Sequence, residues 1–147
     1  MTVRTRFAPS PTGFIHVGNL YVAMLNYAFA KKNKGQFILR IEDTDRKRFV
    51  EGAEEKIYQA LEWLELIPDE SPKHGGPYGP YRQSERLEIY QKYAQGLVEK
   101  GHAYYCFCSP ERLEKVRQEQ RKKGLIPRYD RHCRQLSLEE AKKRIAR

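Results

Sequence analysis

The run Arg6-Phe7-Ala8-Pro9-Ser10-Pro11-Thr12-Gly13-Phe14-Ile15-His16-Val17-Gly18 decides how this chain folds. Just upstream, Val3, Thr5 and Phe7 alternate with polar residues, the period of a half-buried strand. Pro9 and Pro11 fix φ and Gly13 is permissive, so a rigid but irregular turn comes next. The turn delivers His16 to a helix start, where free N–H groups and the helix dipole favour an anion. Gly18 leaves room there for a nucleotide, and His16 could stabilise charge on phosphate oxygens. By spacing alone the same residues also describe a capped turn with a surface histidine.

Working outward, Val17 to Lys32 is apolar on nearly every side, which predicts a well-buried helix closed by Lys31, Lys32, Lys34 and Gly35. Phe37 to Ile41 reads as a second strand. Strand, helix and strand in this length make a βαβ unit with parallel strands and a right-handed crossover. Ligands of such sheets sit beyond the carboxyl ends of the strands. Those ends carry Ala8 to Gly13 and Glu42-Asp43-Thr44-Asp45, so both segments converge on one site.

Ile57, Ala60, Leu61 and Leu64 predict a helix from about Glu51 to Leu66, and Pro68 to Tyr81 is too rich in breakers for regular structure. Ser84 is placed to cap a helix with Leu87, Tyr90, Ala94, Leu97 and Val98 on one face, closed by Gly101. His102 to Phe107 is a strand candidate. Ser109-Pro110-Glu111 opens a basic, solvated helix, and Ser137-Leu138-Glu139-Glu140 has the pattern of a capping box. The boundary between two modules, 1–101 and 102–147, is placed near Gly101.

The chain has 147 residues and a formal charge of +9, from 28 Lys and Arg against 19 Asp and Glu. That length suits one sizeable core, and the charge suits a polyanionic partner, nucleic acid first. No apolar stretch reaches membrane-spanning length and the start lacks a signal-peptide core, so no membrane role is expected. Three cysteines, two of them separated by one residue, argue against a disulfide framework and for a reducing cytoplasmic setting. Cys106 and Cys108, with Cys133 on a returning loop, could share a tetrahedral metal; three buried thiols without metal is the alternative. Lys115, Arg117, Arg121, Lys122 and Lys123 lie between them, either as RNA contacts or as a solvated face.

The opening run resembles the first signature of class I aminoacyl-tRNA synthetases, with His16-Val17-Gly18-Asn19 in place of a His-Ile-Gly-His form. Ala8 to Gly13, Arg40-Ile41-Glu42-Asp43-Thr44-Asp45 and Gly76-Pro77-Tyr78-Gly79-Pro80-Tyr81-Arg82-Gln83-Ser84 resemble the glutamyl branch, and the likeness runs essentially end to end. It implies an α/β fold: the first half of a Rossmann-like catalytic domain, then the start of a zinc-bearing insertion that meets the tRNA acceptor end. Arg6 would pair with a carboxylate of glutamate, Ala8 and Ser10 would line its pocket, and Glu42 would accept from its ammonium group. The alternative for Arg6 and Glu42 is a mutual salt bridge. Thr12, His16, Gly18 and Asn19 match the ATP side, with His16, Gly18 and Asn19 as the catalytic set. Zinc would be held by Cys106, Cys108, Cys133 and, as in relatives with a Tyr-x-x-x-Cys ending, Tyr129. His132 is the alternative fourth ligand, because the histidine that some members place two residues after the last cysteine is Gln135 here.

The resemblance implies ATP-dependent attachment of glutamate to tRNA(Glu) through glutamyl-adenylate, with Mg2+ bridging phosphates, in a cytoplasmic monomer. A Lys-Met-Ser-Lys-Ser-like second signature does not occur in the sequence. The chain is therefore expected to be the N-terminal part of a longer enzyme and inactive alone. Two other readings remain: a glutamyl-queuosine tRNA(Asp) synthetase, and a non-catalytic zinc-stapled RNA-binding module.

Overall fold

The structure is a computed structural model and describes residues 2–146. By contact density the chain divides into two compact units, one up to Ile89 and one from Tyr90 onward.

In the first unit, β1 (Arg4–Phe7), α1 (Val17–Lys32) and β2 (Gln36–Leu39) form the expected βαβ unit. The strands are parallel, with Arg4 opposite Gln36 and Phe7 opposite Leu39. Isolated parallel bridges join Ile38 to Glu70 and Ile41 to Arg82, so β2 is flanked on its other edge by the loop before Tyr81. The core gathers Phe7, Phe37, Leu39 and Ile41 from the sheet, Ala23 and Ala30 from α1, and Ile57, Tyr58 and Leu61 from α2 (Ala53–Trp63). Tyr27 packs edge-on to Phe37, ring centroids 5.5 Å apart. Among the described residues, no helix is long and apolar enough to cross a membrane.

Several local expectations change. Helix α1 is not well buried. Ala23 and Ala30 are its only fully buried residues, small enough to bring the helix close to the sheet. Val17, Tyr21, Leu25 and Phe29, at i+4 spacing, form an open stripe on the other side, Val17 being 82% exposed. The sheet covers one face of α1, and no described residue forms a layer over the stripe. The left-handed residue after α1 is Lys34 (φ 52), not Gly35. Gly35 answers a different demand: a Cβ there would lie 2.2 Å from the Val3 carbonyl oxygen, because β1 and β2 begin in contact.

Ser84 does not cap a helix. Its N–H (2.9 Å) and hydroxyl (2.6 Å) donate to the carboxylate of Asp43, and a 3-10 turn (Gln83–Arg86) precedes α3 (Leu87–Glu99). His102 to Phe107 forms no strand. The His102 and Ala103 amides both bond to the Leu97 carbonyl, closing α3 around Gly101 (φ 73), and Tyr104 to Phe107 have no strand partner among the described residues. In the second unit, α4 (Pro110–Lys122) is capped by Ser109 and buries no residue. A 3-10 turn (His132–Gln135) then leads to α5 (Leu138–Ile145), whose capping box is formed by Ser137 and Glu140.

The loop flanking β2 is fastened by charge. Arg4 donates to both oxygens of Glu70 (2.6 and 2.7 Å), and the Tyr81 hydroxyl donates to the same carboxylate. Arg4 also stacks 4.4 Å from the centre of the Tyr78 ring. Gly76 lets this cluster close: with φ 146, a Cβ there would collide with the Tyr81 hydroxyl and the Glu70 side chain. The Arg4 guanidinium, followed by the Tyr81 hydroxyl, holds the Glu70 carboxyl below its ordinary value of 4.5 against an opposing pull from burial. Such a group contributes stability above the ordinary value and loses it as pH falls through the depressed one. Glu70→Gln should cost about 2 kcal/mol, below the cost of breaking a fully buried pair because Arg4 keeps about a third of its side chain in water. Amide exchange at Leu39, whose N–H donates to the Glu70 carbonyl, should quicken, and the variant should show a shallower loss of stability below about pH 4.5. Unchanged exchange and an unchanged acid limb would contradict this.

Candidate functional site

The parallel pairing does not stop where β1 ends. The carbonyls of Phe7, Pro9 and Pro11 accept in turn from the amides of Arg40 (3.0 Å), Glu42 (2.9 Å) and Val50 (3.0 Å). Proline has no N–H but keeps its carbonyl, so it suits a segment that only needs to accept on this side. The turn thereby lies along the extension of β2, with Glu42 directly alongside Pro9.

At the far end of the turn His16 is the N-cap of α1. Its Nδ1 accepts from the Gly18 amide (3.2 Å), while the Asn19 side-chain oxygen accepts from the His16 amide (3.4 Å). An Nδ1 that accepts leaves the proton on Nε2, so the exposed ring still has one donor to offer. The first turn of α1 carries no acidic residue of its own, so its positive end is not offset from within the helix. Gly18 has a clear steric reason: a Cβ would lie 3.0 Å from the His16 ring. Ala8, Ser10, Thr12, His16 and Asn19 line one cleft of about 460 Å³, together with Pro9, Gly13 and Phe14.

Arg6, Gly18 and Glu42 do not line that cleft. Arg6 is exposed and has no side-chain ion pair or hydrogen bond among the described residues. Glu42 is paired, but with Arg40 (2.8 Å), so the Arg6–Glu42 salt bridge is not formed. The sequence reading missed Arg40. Its signal was present, since residues two apart on extended backbone share a face.

In the second unit the sulfurs of Cys106, Cys108 and Cys133 lie within 4.8 Å of one another. The Tyr129 hydroxyl is 3.3 Å from Cys106 Sγ and 3.6 Å from Cys108 Sγ, and the two sulfurs of Cys108 and Cys133 are 3.6 Å apart. A zinc tetrahedron with bonds of about 2.3 Å to sulfur and about 2.0 Å to oxygen has edges of about 3.5–3.8 Å. Two of these separations match such edges and the third is slightly shorter, so the donor set suits a tetrahedral cation. The side chain of His132 is not among the groups that meet here. The hydrogen bond with Tyr129 draws the Cys106 thiol below its ordinary range, desolvation pushes Cys108 up, and Cys106 pushes the Tyr129 phenol up. Arg112 and Asp130, also unmarked in the sequence reading, pair beside this cluster.

Residues 2–147 match the family model of class I tRNA synthetases (E and Q), catalytic domain. The glutamate–tRNA ligase of Fusobacterium nucleatum is 61% identical over 97% of this chain, which spans 28% of that protein. That of Pseudomonas aeruginosa is 58% identical over 99% of the chain, spanning 29% of the relative. A crystal structure of a glutamate tRNA ligase from Elizabethkingia meningosepticum, in complex with its amino acid, superposes with a TM-score of 0.88 at 49% identity. It covers 99% of this chain and 30% of the crystallised one, so the chain spans under a third of the length of the relatives it matches. With a helix-capping histidine beyond a proline-pinned parallel pair, and a family match along its whole described length, the chain belongs to the catalytic-domain family of the class I tRNA synthetases of the E and Q group.

Proposed function

We propose that this chain supplies the first half of the active site of a glutamate–tRNA ligase and the start of the zinc-bearing module that meets tRNA(Glu). The observation that carries the reading is the single cleft shared by Ala8, Ser10, Thr12, His16 and Asn19 at the open end of α1. Identities of 57–62% to glutamate–tRNA ligases in several bacteria support the choice of glutamate over the queuosine-linked alternative. The match of the family model along the chain supports an enzyme over a bare RNA-binding module.

In this reading Arg6 binds a carboxylate of L-glutamate through its planar fork, Ala8 and Ser10 line the amino-acid pocket, and Glu42 receives the ammonium group. The Arg40 guanidinium fixes the Glu42 carboxylate in place and leaves its second oxygen available. Thr12, His16, Gly18 and Asn19 receive ATP with its Mg2+. The α-carboxylate of glutamate attacks the α-phosphorus in line and pyrophosphate leaves; a ribose hydroxyl of the terminal adenosine of tRNA then takes the acyl group and AMP leaves. No side chain acts as nucleophile. The His16 Nε2–H and the positive end of the α1 dipole offset the charge that grows on phosphate oxygens. The chain alone is not expected to complete aminoacylation.

Cys106, Cys108, Tyr129 and Cys133 would hold zinc, which supplies a structural crosslink between the segment before α4 and the loop after it. The basic residues of α4 then sit on the loop that this crosslink closes.

His16→Asn separates capping from chemistry, since asparagine is a good N-cap but cannot replace Nε2–H. It should leave helical content unchanged and weaken binding of a non-hydrolysable ATP analogue about 10-fold by calorimetry. Equal affinity would remove His16 from the nucleotide site. Purified protein should carry about one zinc per chain. Chelation should lower its melting temperature, Tyr129→Phe should ease zinc loss, and His132→Ala should not. Absence of zinc with unchanged melting would sink the metal reading.

A further inference from the structure

We infer that Arg112 and Asp130 form the outer layer of the cation site of Cys106, Cys108, Tyr129 and Cys133, locking its two halves in register and offsetting its negative charge. This rests on the zinc reading above. The four donors come from two stretches, 106–108 and 129–133, with α4 between them. Arg112 lies one helical turn beyond Cys108, close to the start of α4, where its amide bonds to the capping Ser109 hydroxyl (3.3 Å). Its Nη1 donates to Cys108 Sγ (3.4 Å) and to Asp130 Oδ1 (3.3 Å), and its Nη2 donates to Asp130 Oδ2 (2.6 Å). One guanidinium therefore grips a sulfur of the first stretch and a carboxylate of the second.

Asp130 is just as tied to the donors. It follows Tyr129 directly, and its Oδ1 also accepts from the His132 amide (3.2 Å). That bond shapes the tight turn at Arg131 (φ 59), which leads into the 3-10 turn bearing Cys133. The separation of Tyr129 and Cys133 is set partly by Asp130, and Asp130 is set by Arg112.

Charge points the same way. Three thiolates around a divalent cation leave at least one negative charge, and Arg112 supplies one positive charge against a sulfur. A half-open Arg–Asp pair contributes little by itself. What distinguishes this one is the third contact, which a planar five-donor group can make while holding a carboxylate and a lysine cannot. Partners in the outer layer of metal sites commonly alter metal affinity about 10- to 100-fold.

Cobalt(II) in place of zinc lets the sulfur-to-metal absorption band report on the site, and competition with a chromophoric chelator gives affinity without any activity assay. Arg112→Gln should weaken retention about 10-fold or more. It should also move the band to longer wavelength, because loss of the N–H···S bond raises the energy of the sulfur lone pairs. Adding Asp130→Asn should cost little more, since the two residues act as one unit. Affinity within about two-fold of the unaltered protein, an unmoved band, or losses that simply add would each overturn the inference. Should Arg112→Gln hold no cobalt at all, Arg112→Lys decides: a band recovered only in part supports the inference, since lysine keeps the charge and loses the fork, whereas affinity equal to the unaltered protein or no band at all overturns it. If the unaltered chain itself develops no band, the zinc reading fails and this inference with it.

Discussion

Everything in the first unit depends on a parallel pairing that outlasts its own strands. β1 and β2 are each four residues long, which is little sheet for a core. Yet the carbonyls of Phe7, Pro9 and Pro11 continue to accept from the chain beyond β2, so the pairing extends into the turn as a one-sided ladder. This constraint places the turn that leads into α1 and the Glu42 segment beside each other. It also explains the prolines: they stiffen the segment and remove N–H groups that would otherwise need partners. The far edge of β2 is fastened differently, by the charged cluster of Arg4, Glu70 and Tyr81 and by Lys31 against Asp69 (2.7 Å).

The second unit solves a different problem. It buries few large side chains among the described residues, with Cys133 and Ala141 as its buried members. A module with so little apolar interior needs another source of order, and a metal crosslink is a common one in small units. The donors, the Arg112–Asp130 pair and the capped start of α4 all meet at one place, so order in this unit would spread from that point. The same economy leaves Lys115, Arg117, Arg121, Lys122 and Lys123 on the surface.

Much of this was legible in the sequence because local rules governed it. The βαβ unit followed from alternation, a turn and a helical run. Ser109 and Ser137 announced their helices because cap chemistry is local. The failures came where another partner, near or distant, or the absence of a covering layer overrode a local preference. Ser84 looked like a cap, but Asp43, far away in sequence, engages both its amide and its hydroxyl. His102 looked like a strand residue, but its amide was already committed to closing α3. Composition overstated the burial of α1, since an apolar face shows what a helix could cover and not what lies on it. At the site, the turn and its histidine could be read in advance. The Arg40–Glu42 pair and the Arg112 contact arise only once the chain is folded, although the spacing of two on extended backbone hinted at the first.

The central claim is that the segment from Ala8 to Asn19, with Glu42 beside it, is one wall of a glutamyl-adenylate site. Amide chemical shifts of the chain, followed while a non-hydrolysable glutamyl-adenylate analogue is added, test it most directly. The account predicts saturable shifts concentrated from Arg6 to Asn19 and around Arg40 to Glu42, with the amides of the cysteine loop unmoved. No saturable shift, or shifts centred on residues 106–133 and absent from the turn, would contradict it.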